Sequence, residues 1–123
     1  MTKVGEHITL DIIGTTKEYD PSVYEKVIHE IAKAAKVTIL KISKYKFEPQ
    51  GFTILALLAE SHISFHTFPE KGIISFDFFT CGKVSPSVAI DIIKKEFEHT
   101  RIVKKEFNTV SYTHLRAHET SGY

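Results

Sequence analysis

Residues 52–81 read FTILALLAESHISFHTFPEKGIISFDFFTC, and this stretch decides the fold. Alternating runs rich in β-branched and aromatic residues are typical of strands, and three such runs follow one another here. The loop Pro69–Gly72 separates the last two runs and is short enough to join neighbouring antiparallel strands. The stretch therefore predicts three strands of a mainly antiparallel sheet, at Phe52–Leu58, Ser61–Thr67 and Ile73–Cys81.

Similar signals extend outward from this stretch toward both ends of the chain. Asp20-Pro21 and Ser85-Pro86 each place a capping residue before proline, which favours a helix start. Apolar residues then recur at intervals of three and four, as far as about Lys36 in the first helix and Phe97 in the second. Further strands are predicted at His7–Ile13, Val37–Phe47 and Ile102–Val110.

The order β-α-β-β-β-β-α-β predicts the fold class. Two helices can cover only one face of such a sheet. The chain is therefore predicted to be an α+β two-layer sandwich, with a mainly antiparallel sheet and both helices on one face. The open face carries side chains that make a poor core, namely His62, Ser64, His66, Ser75, Asp77, Phe79 and Cys81. Such a face indicates a functional site, a dimer contact, or both.

Composition and charge narrow the class of protein. A chain of 123 residues is one domain by length, and its formal net charge of +1 gives no basic field for nucleic acid. The longest uncharged apolar stretch, Phe52–Ala59, is too short to span a bilayer, and the start of the chain does not resemble a signal peptide. A single cysteine forms no internal disulfide, which is typical of a reducing compartment. We expect a small cytoplasmic protein with neither a nucleic acid nor a membrane as partner.

Four short motifs carry a resemblance to a known family. They are ESHISFHTFPE at Glu60–Glu70, FFTCG at Phe78–Gly82, FEPQG at Phe47–Gly51 and GEHI at Gly5–Ile8. In this order and spacing they resemble the proenzymes of the short, prokaryotic type of S-adenosylmethionine decarboxylase. The resemblance extends over about residues 5–110, nearly the whole predicted domain.

The resemblance implies a decarboxylase that makes its own cofactor by cutting its chain. Decarboxylation leaves a carbanion at the α-carbon, and a covalently held carbonyl stabilises it by forming an imine with the substrate amine. The resemblance implies that the Ser61 hydroxyl attacks the Glu60 carbonyl, and that elimination across Ser61 then yields a pyruvoyl group and ammonia. The products are a β chain of residues 1–60 and an α chain that begins at residue 61. The chain offers no convincing lysine and phosphate loop for pyridoxal phosphate, the more usual carbonyl cofactor.

The resemblance also implies roles for three further side chains. His66 is the base that removes the α-proton of Ser61 during elimination, and imidazole suits this step because its unperturbed pKa is about 6.5. Cys81 protonates the substrate carbon after carbon dioxide leaves, since an ordinary thiol is mostly protonated at neutral pH. Thr53 stands where the family usually has a serine that assists ester formation, and Ile54 replaces the glycine that follows it. Threonine keeps the hydroxyl but restricts χ1, so this departure bears on the rate of processing.

The resemblance further implies the substrate and the assembly. Phe47 matches an aromatic residue that stacks on the adenine of S-adenosylmethionine, and Glu70 matches an acid that accepts hydrogen bonds from the ribose hydroxyls. The decarboxylated product donates aminopropyl groups in spermidine biosynthesis. Family members assemble as dimers of cleaved protomers, and the half-polar open face fits an isologous contact, so we expect a homodimer.

One count of residues conflicts with these roles. Strict alternation places Ser61 and His66 on opposite sides of one continuous strand. A bulge, or the turn at Glu60–Ser61, has to change the phase if the two side chains act together. Backbone strain at that turn would also assist the acyl shift.

Other interpretations of these residues lead to different classes of protein. A zinc site formed by His62, His66 and Cys81 is disfavoured, because the two histidines lie about 13 Å apart along a strand, and no metal is expected. The G-x-S-x-G elbow of serine hydrolases is absent. Two alternatives stay open: a pyruvoyl-dependent arginine decarboxylase on the same scaffold, and an uncleaved homologue with a regulatory or binding role.

The last stretch, residues 111–123, differs in character from the rest of the chain. Residues 112–120 read YTHLRAHET, which follows neither the strand nor the helix period and resembles translated adapter sequence. We expect this tail to be disordered or loosely packed, outside a single decarboxylase domain of residues 1–110. A His-rich metal-binding tail is the alternative, on composition alone.

Overall fold

Residues 2–111 are described by a computed structural model of the chain. Within them, strands and helices follow one another in the predicted order. The strands are β1 (Thr2–Ile13), β2 (Ile39–Lys46), β3 (Phe52–Leu58), β4 (Ser61–Phe68), β5 (Ile73–Thr80) and β6 (Arg101–Ser111), and the helices are α1 (Pro21–Ala35) and α2 (Val88–Glu96). The predicted α+β class is confirmed. Residues 112–123, and with them most of the predicted tail, lie outside the described residues.

The six strands form one sheet in the order β2-β3-β4-β5-β1-β6, and every neighbouring pair is antiparallel. β2 to β5 are neighbours in sequence and in space because short turns join them, among them a 3-10 turn at Pro69–Lys71. β1 begins earlier than predicted and lies between β5 and β6. β2 and β6 form the two edges, and their lysines discourage pairing with another sheet.

The sequence predicts the start of one helix better than that of the other. α1 begins directly after Asp20 as predicted, and the Asp20 carboxylate accepts from the Ser22 N–H at 3.0 Å. α2 begins at Val88, later than predicted, because the Ser85 hydroxyl accepts from the Ser87 N–H at 3.2 Å and forms a turn ahead of the helix. Neither α1 nor α2, the helices of the part of the chain described, is long and apolar enough to cross a membrane.

Both helices pack on one face of the sheet and enclose the core. Tyr24 of α1 contacts Phe65 of β4 and Phe97 after α2, with ring centroids 5.4 and 5.3 Å away. Burial raises the pKa of the Tyr24 hydroxyl above its ordinary value. The strands contribute every second side chain to this core, as their alternation predicts. These side chains are Ile8, Leu10, Ile12, Ile54, Ala56, Leu58, Ile63, Phe65, Ile74, Phe76 and Phe78.

Neither helix covers the opposite face, where the strand register arranges the side chains in rows. One row crosses the sheet through Leu57, His62, Phe79, His7 and Phe107. The next comprises Leu55, Ser64, Asp77, Thr9 and Lys105, and the third comprises Thr53, His66, Ser75, Asp11 and Val103. The open face is half polar, as predicted, and it also exposes apolar side chains, namely Leu55, Leu57 and Phe107.

Candidate active site

The predicted cleavage bond follows a tight turn between β3 and β4. Residues 59–60 form this turn, and Glu60 adopts φ +59°, in the left-handed region. Residues with a β-carbon rarely adopt this conformation, which costs about 1–2 kcal/mol. The Ala59 N–H donates to the Thr38 carbonyl at 3.0 Å and fixes the turn against the segment before β2. Backbone strain therefore lies at the residue that directly precedes Ser61.

Ser61 is held by the segment that ends β5. It is buried, and its Oγ donates to Thr80 Oγ1 at 3.2 Å. The Gly82 N–H donates to the same threonine oxygen at 2.9 Å, and the Cys81 N–H lies 3.4 Å from Ser61 Oγ. Glu60 and Cys81 are exposed, so solvent reaches both sides of the buried serine. We call this group, Glu60, Ser61, Thr80 and Cys81, the Ser61 end.

Four of the predicted site residues line a cavity at the other end of β4. His66 Nδ1 and Thr53 Oγ1 are hydrogen-bonded at 2.9 Å across the β3–β4 pair. The cavity has a volume of about 340 Å³, which is enough for a small-molecule ligand. Its lining comprises Phe47, Gln50, Gly51, Thr53, His66, Thr67, Phe68 and Glu70. We call it the His66 cavity.

Two aromatic rings form the apolar part of the His66 cavity. The turn after β2 places Phe47, whose N–H donates to the Gly51 carbonyl at 2.9 Å. Gly51 adopts φ +104°, a conformation that is readily open only to glycine. Phe47 and Phe68 are 47% and 39% exposed, so both offer apolar surface to a ligand.

The Ser61 end and the His66 cavity lie far apart within one protomer. Ser61 pairs with Leu58 and His66 with Thr53, and the register between the two pairs is unbroken. The separation along the strand is about 17 Å. The Ser61 and His66 side chains also point to opposite faces, because β4 pairs without a bulge on both sides. The expectation that a bulge or the turn brings these two side chains to one side is therefore wrong for a single chain.

A third group lies on the open face beside the Ser61 end. His62 Nε2 donates to Asp77 Oδ2 at 3.1 Å, and His7 Nε2 is hydrogen-bonded to Asp77 Oδ1. The Phe79 ring contacts both imidazoles, with centroids 5.9 Å from His7 and 6.0 Å from His62. A β-carbon at Gly5 would lie 2.7 Å from Phe79 Cζ, so the glycine of the GEHI motif makes room for this ring. We call His7, His62 and Asp77 the histidine–aspartate cluster.

The sequence alone assigns no role to several residues of these three groups. Thr80 belongs to FFTCG, Gln50 to FEPQG, Phe68 to ESHISFHTFPE and His7 to GEHI, so membership of a motif is the available signal. A role requires neighbours as well, and cross-strand register decides the neighbours. Gln50 illustrates this, because its Nε2 lies 3.5 Å from Glu70 Oε1 only through the packing of two separate turns.

Comparison with known protein families accounts for this arrangement of motifs. The family model described as S-adenosylmethionine decarboxylase matches residues 6–109, which is most of the chain. The chain belongs to the S-adenosylmethionine decarboxylase family. The matched range includes every predicted site residue, from Phe47 to Cys81, and the resemblance inferred from the motifs is confirmed.

Named members of the S-adenosylmethionine decarboxylase family resemble the chain along most of its length. An S-adenosylmethionine decarboxylase proenzyme from Brevibacillus brevis is 40% identical over 92 residues, which cover 72% of this chain and 69% of that relative. One from Methanococcus maripaludis strain C7 is 39% identical over 105 residues, which cover 83% and 86%. The crystal structure of the adenosylmethionine decarboxylase from Aquifex aeolicus matches with a TM-score of 0.80 at 30% identity, over 94% of this chain and 98% of that one.

Proposed function

We propose that the chain is a proenzyme that cuts itself between Glu60 and Ser61 and then decarboxylates S-adenosylmethionine. The observation that carries the proposal is the Ser61 end, where a buried hydroxyl directly follows a left-handed residue and lies beside Cys81. Relatives named as proenzymes of the same decarboxylase support it. The product is the aminopropyl donor of spermidine biosynthesis. A cytoplasmic location and a single domain of residues 1–110 belong to the same proposal.

The cut consists of an acyl shift followed by an elimination. Ser61 Oγ attacks the Glu60 carbonyl carbon, an ester forms, and the peptide bond to the Ser61 nitrogen breaks, which frees that nitrogen as an amine. The ester then loses the Ser61 α-proton and the main-chain carboxylate of Glu60, and residue 61 becomes dehydroalanine. Dehydroalanine takes up water and releases ammonia, which leaves the pyruvoyl group. The strain at Glu60 favours this sequence, because breaking the bond lets the backbone leave the left-handed region.

Thr80 positions the Ser61 hydroxyl for the attack. It accepts the hydroxyl hydrogen, so a lone pair of Ser61 Oγ is free to face the Glu60 carbonyl. The Gly82 N–H holds the Thr80 oxygen in turn. Thr80 is 2% exposed, so water competes little for this oxygen. We expect loss of the Thr80 hydroxyl to slow the cut.

The residues around Ser61 fit a pyruvoyl group. Such a group supplies a carbonyl that withdraws electrons from the substrate as carbon dioxide leaves. Because the group derives from Ser61, it begins a new chain end next to Cys81, which is exposed. In this proposal the Cys81 thiol donates a proton to the substrate carbon.

The His66 cavity suits the adenosyl part of S-adenosylmethionine. Phe47 and Phe68 offer rings on which a purine can stack, and Glu70 offers a carboxylate to the ribose hydroxyls. No observation favours the arginine decarboxylase or the uncleaved regulator.

A second copy of the chain completes the site in this proposal. In an isologous dimer the open faces of two chains pack together, and every contact occurs twice. A two-fold axis near the middle of β4 then brings His66 of the partner subunit to the Ser61 end. The exposed Leu55 and Leu57 on this face support such a contact. The dimer removes the conflict raised by the separation of Ser61 and His66 along β4, because the two side chains then act from different chains.

An intact mass spectrum under denaturing conditions tests the cut. Two fragments are expected, residues 1–60 and the remainder, and the second should be blocked to Edman degradation and reduced by borohydride. Ser61→Ala should stay a single chain, whereas Ser64→Ala, the same change on the same strand, should still be cut. A wild-type chain that keeps its full mass after long incubation would contradict the proposal.

Release of labelled carbon dioxide tests the substrate. The cut protein is incubated in parallel with carboxyl-labelled S-adenosylmethionine and carboxyl-labelled arginine. We expect release from S-adenosylmethionine alone, and none from the uncut Ser61→Ala chain. Release from arginine only would replace the proposed substrate but leave the proposed cut intact.

A further inference from the structure

The histidine–aspartate cluster gathers three metal-ligand side chains on the open face. His7 comes from β1, His62 from β4 and Asp77 from β5, the strand between them. One ligand atom from each, two ring nitrogens and a carboxylate oxygen, all lie within 4.8 Å of one another. Within residues 2–111 this is the only group of three such side chains that comes so close.

The convergence follows from strand register. His7 and His62 both stand opposite Phe79, one on each side of β5. Asp77 lies two residues before Phe79 and therefore on the same face, within reach of both imidazoles. Each histidine turns Nε2 to a different oxygen of the Asp77 carboxylate. The three ligands are thus preorganised by three hydrogen-bonded strands.

The geometry points to a site for one divalent transition-metal ion of the zinc type, held by His7, His62 and Asp77. Two imidazole nitrogens and one carboxylate oxygen are a common set of protein ligands for zinc, whereas calcium and magnesium favour oxygen ligands. In a single protomer the side chains are 33%, 39% and 31% exposed, so an ion can reach them before two open faces pair. The site is separate from the pyruvoyl chemistry and does not depend on the proposed function.

Aromatic rings form a wall around the cluster. Phe79 stacks against His62 and meets His7 edge to face, and Phe107 lies 6.1 Å from His7 on the other side. An apolar wall of this kind limits solvent access and fixes the ring orientations of the ligands. The prediction that the chain binds no metal considers only His62, His66 and Cys81 as ligands. It omits His7, because the sequence does not show which strands pair.

The competing explanation is a hydrogen-bond network without an ion. A carboxylate between two imidazoles satisfies both when each Nε2 carries a hydrogen. A bound ion displaces those hydrogens and takes both nitrogens as ligands. The two explanations therefore differ in a measurable property, which is the affinity of the cluster for a metal.

Titration of the chelator-treated protein with Co²⁺ tests the site. Visible absorption reports nitrogen and oxygen ligation of cobalt, and Zn²⁺ is then added as a competitor. We expect saturation at one ion per chain and displacement by zinc. His7→Gln, His62→Gln and Asp77→Asn should each weaken binding by at least about tenfold. No saturable cobalt spectrum in the wild type would overturn the inference.

Two control variants separate the cluster from other groups of the same kind. Asp11→Asn removes a carboxylate from the same face, and His29→Gln removes an exposed histidine from α1. Both should bind cobalt like the wild type, and equal weakening in these controls would also overturn the inference. If a cluster variant does not fold by circular dichroism, the wild type decides: Zn²⁺ should shift the Nε2 resonances of two labelled histidines, and unchanged resonances would contradict the site.

Discussion

The two ends of β4 differ in almost every physical respect. At the Ser61 end a buried hydroxyl is fixed by Thr80 and follows a strained residue. At the other end His66 borders an open cavity with two exposed rings. In the proposed function one end holds the bond that breaks, and the other holds the ligand that enters and leaves. The continuous motif ESHISFHTFPE spans both, so one motif does not imply one site.

Complementation between two inactive chains gives the largest expected effect. His66→Asn alone should be cut at least about a hundredfold more slowly, because it lacks the base for elimination. When His66→Asn is mixed with Ser61→Ala, the His66→Asn chain should be cut in the heterodimers. These form about half of the dimers in an equal mixture. Mass spectrometry of co-refolded chains measures the cut fraction.

A mixture of two chains that each carry their lesion at the Ser61 end is the control for complementation. Ser61→Ala supplies an intact His66 cavity but cannot replace Thr80 in another chain. Thr80→Val should therefore gain nothing from the mixture. If His66→Asn is cut no faster with its partner than alone, both ends act within one chain, and the dimeric site is wrong.

Loss of the Thr80 hydroxyl should slow the cut by about tenfold, the value of one buried hydrogen bond. Thr80→Val keeps the shape of the side chain, and Thr80→Ser restores the oxygen. The rate of appearance of the two fragments, measured against pH, is the readout. A purely structural role predicts equal slowing in Thr80→Val and Thr80→Ser, which would remove Thr80 from the attack.

Loss of the Phe47 ring should affect binding but not cutting. Phe47→Ala should raise KM for S-adenosylmethionine by up to about tenfold, since ring stacking contributes on the order of 1 kcal/mol. The yield of the two fragments should stay unchanged. Leu40→Ala, which removes an exposed apolar side chain of β2, the strand that precedes Phe47, should alter neither KM nor the cut. A Phe47→Ala chain that is not cut would mean that the two ends are not separable.

The smallest effect is expected at Asp20, which belongs to neither end. Hydrogen bonds from the Ser22 hydroxyl and then from its N–H hold the pKa of Asp20 below its ordinary value. The ionised carboxylate therefore stabilises the fold above the ordinary pKa, and this stabilisation is lost as pH falls through the lowered pKa. Asp20→Asn should melt a few degrees lower at neutral pH, a difference that vanishes in acid. The rate of cutting and the KM of Asp20→Asn should match the wild type. Such a match would show that a loss of stability alone impairs neither end of β4.

Much of the fold is predictable because local patterns carry it. The alternation in Ile73–Cys81 predicts the core side chains of β5, and the Asp20-Pro21 signal predicts the start of α1. The start of α2 is less predictable, because Ser85 caps a turn and not the helix itself. Propensity does not decide between these two uses of a serine hydroxyl.

The candidate site is predictable residue by residue but not as an arrangement. Alternation alone already places Ser61 and His66 on opposite faces, and the unbroken register of β4 upholds that count. The expected bulge is absent, because β4 pairs with β3 on one side and with β5 on the other without an extra residue. The closeness of His7 to His62 depends on β1 pairing with β5, a contact between residues far apart in the sequence.

The interior position of β1 in the sheet has a consequence for the chain once it is cut as proposed. The N-terminal fragment would hold β1 to β3 and the C-terminal fragment β4 to β6, yet β1 lies between β5 and β6. The two fragments are therefore interleaved, and melting becomes a dissociation whose midpoint depends on protein concentration. An uncut monomer would melt at the same temperature at every dilution. Once the fragments separate, they must find each other again before either can rebuild the sheet, so cutting makes unfolding harder to reverse.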